Sequence, residues 1–420
     1  MEKCENKVGV VPTEISRLAV SRRGTSLAST SSLSRLVVVA LAITCGVAVA
    51  NVYYAQPLLA TMASDFKVPE ASIGIVITIT QICYALGLLF LVPLGDLLNR
   101  RRLIVCQLLL SALALVGVVI APTIPLWLIG IGVMGLLATV TQAVVAYAAA
   151  LAGPAQRGQV VGLVTSGVVI GILLARTVAG VLTDLAGWRS VYAVSALLAL
   201  LMAGILLRAL PSDERAKSSI SYPQLLSSII ALFWQEPLLR IRAMLALLIF
   251  AAFSTLWTSL TLPLSGPPFS FSHTVIGLFG LVGVAGALAA RRAGSLADRG
   301  LEQWTTGIGL TLLLLSWLPI SLINHSLLAL IVGIVMLDLA VQAVHVTNQS
   351  MIYRVRPEAL SRLVASYMIF YSIGSATGSI VSTMVYVHAG WIGVSLLGTA
   401  ISAVALLVWA LTRKLPAGRK

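Results

Sequence analysis

The chain has 420 residues, of which 59% are hydrophobic and 10% charged, with a formal net charge of +14. Soluble domains keep about a quarter of their residues charged, so this composition excludes a water-soluble globular protein and makes lipid the solvent. A nucleic-acid reader is excluded as well: its Lys and Arg would cluster on one folded face, whereas here they sit in short loops between apolar runs.

Residues 1–34 are polar, Ser/Thr-rich and of mixed charge, and read as a disordered cytoplasmic tail. The apolar stretch from Leu36 to Met62 is too long for a signal-peptide core and is expected to stay as the first membrane helix. A helix needs about 20 apolar residues to cross a bilayer. Apolar runs of that length predict spans at 36–62, 71–95, 102–121, 126–152, 158–184 and 189–209. A second set follows at 241–264, 274–293, 304–323, 327–352, 361–387 and 392–412. Pro122, Pro125, Gly153-Pro154, Gly266-Pro267-Pro268 and Pro357 punctuate them. With both termini cytoplasmic, 25 of the 28 Lys and Arg fall on the cytoplasmic side, as the positive-inside rule requires.

The expected fold is all-α and integral to the membrane, with twelve transmembrane helices in two pseudo-symmetric six-helix bundles. The bundles are 35–210 and 241–413, joined by a cytoplasmic linker at 211–240 and followed by a short tail at 414–420. Repeated motifs support duplication: Gln142-Ala143-Val144 matches Gln342-Ala343-Val344, and Gly187-Trp188 matches Gly390-Trp391. Paired six-helix repeats around a midplane site are a transporter architecture. The linker carries an amphipathic stretch, Leu225 to Trp234, read as a tether that can lie on the membrane surface.

Cys4, Cys45, Cys83 and Cys106 form no CxxC pair or metal-ligand spacing. There is no Walker loop, HExxH or GxSxG motif. No metal, cofactor or enzymatic activity is expected. Ionisable groups at membrane depth are costly and functional by default. In span ten, Asp338, Gln342, His345 and Gln349 recur at helical spacing on one face, with Asp338 about 16 Å into the span. Asp338, His345 and Arg176 of span five are the candidates for handling a proton, and Asp338 paired with Arg176 as a packing device is the alternative.

Two copies of a loop motif reveal a family. Gly95-Asp96 with Arg100 and Arg101 follows span two, and Gly294-Ser295-Leu296-Ala297-Asp298-Arg299 follows span eight. The chain resembles the major facilitator superfamily over about residues 36–412. The resemblance implies that Gly95, Asp96, Arg100, Arg101, Gly294, Asp298 and Arg299 form a cytoplasmic gating latch. Span five, Gly167-x-x-x-Gly171-x-x-x-Ala175-Arg176, resembles an altered antiporter motif with Arg176 in place of Pro. The Arg that precedes the span-four Gln in proton-driven drug exporters is Thr139 here. The segment Asn51 to Pro57 resembles span one of bacterial drug and sugar efflux permeases.

The family architecture places spans one, four, seven and ten around a cavity. It implies a lining of Asn51, Tyr54, Gln56, Gln142, Tyr147, Trp257, Thr258, Gln342 and Gln349, with Gln81, Tyr84 and Tyr371 contributing from spans two and eleven. The resulting expectation is a monomeric transporter of the bacterial inner membrane working by alternating access. It would couple protons to export of small drug-like or sugar-like molecules; import or facilitated passage of a sugar, amino acid or carboxylate is the alternative.

Overall fold

The computed structural model describes residues 34–69, 72–152, 157–211, 221–283, 296, 299–356 and 360–413, and these form one unit. Residues 1–33 of the tail expected at 1–34 and the whole tail expected at 414–420 lie outside the described residues, as do Gly294 and Asp298 of the second loop motif.

Among the described residues, ten helical segments are long and apolar enough to cross a membrane. Spans one to six are Arg35–Phe66, Ile75–Gly95, Arg100–Ile120, Ile124–Leu151, Val160–Ala186 and Trp188–Ala209. Span seven is Pro237–Ser265, and spans nine and ten are Glu302–Ser321 and Leu327–Tyr353. The last segment, Arg362–Thr412, is two spans, because Gly390 adopts φ 61°, which a helix cannot accommodate. His273–Val282 is the described part of span eight. The described spans follow the expected order, with boundaries moved by a few residues, and the end expected for span eight at 293 lies outside the described residues. Large apolar side chains such as Leu113, Ile120, Ile392 and Leu411 face outward, where lipid replaces water as the favourable contact. An even number of spans puts Arg35 and Thr412 on one membrane face, called the terminal face below; the opposite one is the far face.

Small residues set the helix contacts. A Cβ on Gly171 would overlap the Gly46 backbone, so spans one and five touch main chain to main chain. Spans seven and eleven repeat the device, with Gly374 and Gly378 against Leu247 and Ala251. The first helix of each repeat also breaks near the far face beside a proline, which lacks the N–H to continue the ladder. Span one turns through Gln56–Leu58 at Pro57, and span seven divides into Pro237–Ser259 and Thr261–Ser265 around Pro263. The two breaks meet: the Thr261 hydroxyl donates to the Gln56 carbonyl at 2.9 Å.

The first repeat closes on the second along the far face. Gly180 and Gly277 bring spans five and eight into backbone contact. Asp184 of span five accepts from the backbone N–H groups of His273 (3.2 Å) and Thr274 (2.8 Å) and meets the His273 ring at 2.7 Å. It therefore caps a helix of the other repeat, where an anion is favourable. The opposite edge of the His273 ring contacts the Thr61 hydroxyl. Across spans two and eleven, Thr78 donates to the Ala376 carbonyl at 2.9 Å. Asp184→Ala leaves those two N–H groups without their acceptor, a loss of about 1–2 kcal/mol. The expected result is faster modification of a cysteine placed at Thr78 by a thiol reagent applied from the far face.

On the terminal face, the linker stretch is a helix, Tyr222–Gln235, started by a Ser221/Gln224 capping box. It straps the ends of spans two and eleven: Tyr222 donates to the Phe90 carbonyl at 2.8 Å, and Phe233 stacks on Phe370. Arg100 donates through Nε to the Gly95 carbonyl (2.9 Å) and through Nη1 to the Ala146 carbonyl (3.3 Å), and Arg101 reaches the Leu207 carbonyl. Both arginines tie span three to its neighbours within the first repeat. The side chain of Asp96 lies outside what is described, and Arg299 sits in an exposed turn.

Candidate functional site

Three charged residues are buried among the described residues: Arg176, Asp338 and Arg242. The first two come together in the seam. Arg176 is 3% and Asp338 5% exposed, yet they form no ion pair. Trp257 of span seven stands between them. Its indole N–H donates to Asp338 Oδ1 at 3.2 Å, while the Arg176 guanidinium carbon lies 3.9 Å from the ring centroid. A desolvated cation over an indole face gains about 2 kcal/mol. Tyr53 and Phe253 complete the box at 5.4 and 5.7 Å. Arg176 Nε donates to Gln56 Oε1 at 2.8 Å, and Nη2 is buried with no hydrogen-bond partner. Span eight forms the floor: a Cβ on Gly280 would crowd the Arg176 stem, and one on Gly283 would reach Asp338 Oδ2. Five spans thus meet at one charge cluster.

On the terminal-face side, the hydroxyls of Tyr53 and Tyr371 meet at 2.6 Å across the seam. Phe250 packs on Tyr371 and on His345. Tyr371 lies nineteen residues from Gly390, about 28 Å along the axis, against about 16 Å for Asp338. The tyrosine pair therefore separates the charge cluster from the terminal-face half of the seam. On span ten, Gln342 lies between Asp338 and the pair, His345 is level with it and Gln349 lies beyond it; these three and Gln142 of span four are half-buried. Tyr371→Phe removes a hydrogen bond of about 1 kcal/mol, and solute release toward the terminal face is expected to quicken roughly fivefold in single-turnover efflux.

Several expected lining residues point elsewhere. Asn51 accepts from Ser195 of span six at 2.7 Å, and Tyr54 packs edge-on against Tyr192 of the same span. These two secure the first repeat internally, and the neighbouring face of span one, Tyr53 and Gln56, meets the seam instead. Tyr147 donates to the Pro211 carbonyl at 2.8 Å, where the first repeat passes into the linker. Gln81 and Tyr84 are buried in span two. Thr258 pairs with Ser379 at 3.0 Å, joining spans seven and eleven. His345 shares a hydrogen bond of 2.9 Å with Tyr367 rather than with Asp338, seven residues away. Arg242, counted above among the topology-setting charges, is only 2% exposed and donates to Thr306 and Asn348 at 3.3 and 3.2 Å. Its position inside an apolar run was the available signal.

A family model described as Major Facilitator Superfamily matches residues 41–304 and 244–420. The uncharacterized transporter YgaY of Escherichia coli O157:H7 is 50% identical over 377 residues, covering 90% of this chain and 95% of that protein. Transporter SCO4007 of Streptomyces coelicolor is 28% identical over 407 residues, covering 97% and 94%. Among solved structures, a bacterial homologue of the human lysosomal transporter Spinster, inward-facing and occupied, superposes with TM-score 0.74 at 13% identity. The match covers 90% of this chain and 96% of that one, and is a likeness of fold.

Proposed function

The chain belongs to the Major Facilitator Superfamily, and on that premise we propose that it is a proton-coupled secondary transporter of small organic molecules. It is a multi-pass membrane transporter, not an enzyme. The proposal concerns coupling, direction and solute. It rests on one observation: Asp338 and Arg176, both buried, face each other across Trp257 at the seam between the repeats.

Ionised, Asp338 balances the guanidinium across the indole. Protonated, it leaves that cation uncompensated in a medium of low dielectric. Because Arg176, Trp257 and Asp338 sit on three spans from both repeats, this change in charge bears directly on how tightly the repeats are held. In this reading 35–210 and 241–413 rock as bundles, with 211–240 as tether. The terminal face is taken as cytoplasmic, and the Lys and Arg distribution supports it. Closure along the far face then makes this the inward-facing arrangement. In this reading the chain sits in the bacterial inner membrane and the monomer is the working unit, supported by a charge cluster that draws all its residues from one chain.

Direction follows from linkage. A solute that donates to the Asp338 carboxylate competes with the proton, which gives antiport and export. The resemblance of Asn51–Pro57 to efflux permeases supports that reading. A solute anion that takes Arg176 is helped by the proton on Asp338, which gives proton-coupled uptake; the unsatisfied Arg176 Nη2 favours this second reading. Purified protein in vesicles separates them. Solute accumulation when the outside is acid marks uptake with the proton, and accumulation when the inside is acid marks exchange. Indifference to either gradient would remove proton coupling altogether.

A further inference from the structure

We infer that Arg176 is the seat of an organic monocarboxylate, with one solute oxygen on Nη2 and the solute body against the aromatic walls. The inference rests on the transporter reading above and names the solute class of that same cluster. Three observations carry it.

The first is the orphaned donor. A guanidinium presents five N–H groups in a rigid fork suited to carboxylate. Here Nε is spent on Gln56, while Nη2 has no partner and no access to water. A buried charged donor left unmade is costly, and structures retain such a group where a ligand completes it. The second is the supply of charge. Arg176 and Arg242 are the buried cations among the described residues. Arg242 leaves span seven fifteen residues before Trp257, about 22 Å along the axis, and is engaged by Thr306 and Asn348. One seat thus offers one positive charge, which suits a single carboxylate and leaves a second anionic group of a phosphate ester or dicarboxylate unpaired. The third is the wall. Tyr53, Phe253 and Trp257 surround the guanidinium, so the rest of the solute meets ring faces and an apolar or aromatic body is favoured.

The proton enters through Asp338. The charged or titratable groups that face it from the elements packed around it are Arg176 on span five and Tyr53 on span one, which bonds Tyr371 of span eleven; spans seven and eight face it with Trp257 and glycine backbone, their Arg242 and His273 lying at the distant ends of those spans. His345 lies two turns along its own helix. Of the groups facing it, Arg176 alone is a fixed cation. An anion arriving on Arg176 displaces the Asp338 carboxylate from that role, so Asp338 takes up a proton as the anion binds. Charge is conserved at the site: one anion and one proton enter together.

The test is calorimetric binding to the purified full-length protein. The probes are benzoate, hippurate and lactate, each against its neutral amide. At least one acid is expected to bind more than tenfold tighter than its amide. Arg176→Gln should remove that preference and Arg176→Lys retain part of it. Titration in buffers of different ionisation enthalpy should report close to one proton taken up per anion in the wild type. In Asp338→Asn the anion should still bind, with no proton uptake. Equal affinity for every acid and its amide, or an acid preference that survives in Arg176→Gln, overturns the carboxylate seat. If Arg176→Gln fails to fold, the wild-type acid-to-amide ratio and the Arg176→Lys variant decide. Carboxylate-selective binding without proton uptake in the wild type leaves the seat standing and refutes the coupling, so the two failures are distinguishable.

Discussion

Replacing Asp338 with Asn is expected to abolish solute accumulation driven by a pH gradient while leaving downhill exchange intact. Asn is nearly isosteric, and its side-chain oxygen can still accept from the Trp257 N–H that now meets Asp338 Oδ1 at 3.2 Å. What it loses is the ability to change charge. A gradient of one pH unit stores about 1.4 kcal/mol per proton. One proton moved with one monoanion is electroneutral, so the wild type should concentrate its solute about tenfold. The variant should come to rest at equal concentrations on both sides. It resembles the protonated state permanently, so its exchange of solute for solute should lose its dependence on pH. A variant that still accumulates solute tenfold would take Asp338 out of the coupling step.

The second large effect comes from glycine, and its sign depends on which seam the glycine serves. Gly171→Val drives a side chain into the Gly46 backbone within the first repeat. Nothing there can give way, because main chain cannot rotate aside as a side chain does. Overpacking of this kind costs about 1–3 kcal/mol or more, and it falls on a contact that every state of the cycle needs. Loss of folded protein is the expected outcome, read as a lowered thermal midpoint in detergent. Gly180→Val makes a comparable overlap with the His273 carbonyl. That contact joins span five to span eight across the far-face seam, and the cycle must break it. The same cost is therefore charged to one conformation, and the protein should fold while the far face opens. A shift of 1–3 kcal/mol is roughly fivefold to 150-fold in population. Spin labels at Thr78 and Ala376, whose hydroxyl and carbonyl now meet at 2.9 Å, should report a longer separation in Gly180→Val. An unchanged distance distribution would show that the seam does not open there.

The placement of side chains explains why some sequence expectations translated into geometry and others did not. Asp338 and Arg176 were conspicuous because charge is rare inside apolar runs, and depth along a helix follows from a rise of 1.5 Å per residue. Their relation was not legible: a direct ion pair was an open alternative, and the indole of Trp257 stands between them instead. Span one shows the limit more sharply. Asn51 and Tyr54 share a helical face, as do Tyr53 and Gln56, and both faces are polar. Spacing gives the angle between the two faces but not which one looks toward the seam. Arg242 illustrates the reverse error, since a basic residue near a helix end reads as a loop charge until its burial by Thr306 and Asn348 is seen.

Residue order alone is enough to read the number of spans, where they turn, that the chain repeats, and which face carries its positive charge. Each of these follows from transfer energies counted along one dimension: about 20 apolar residues per crossing, breaks at proline and glycine, and the energetic preference of Lys and Arg for one side. The tertiary structure decided the rotation of each helix about its axis, and with it the site. In water, an apolar stripe would have pinned that rotation. In a bilayer, lipid and protein interior are about equally apolar, so rotation is settled by close contacts such as Gly171 on Gly46 and by the few buried polar groups that must find partners. Those contacts bring Tyr53, Arg176, Trp257 and Asp338 to one point on the seam and leave one guanidinium nitrogen free to receive a solute.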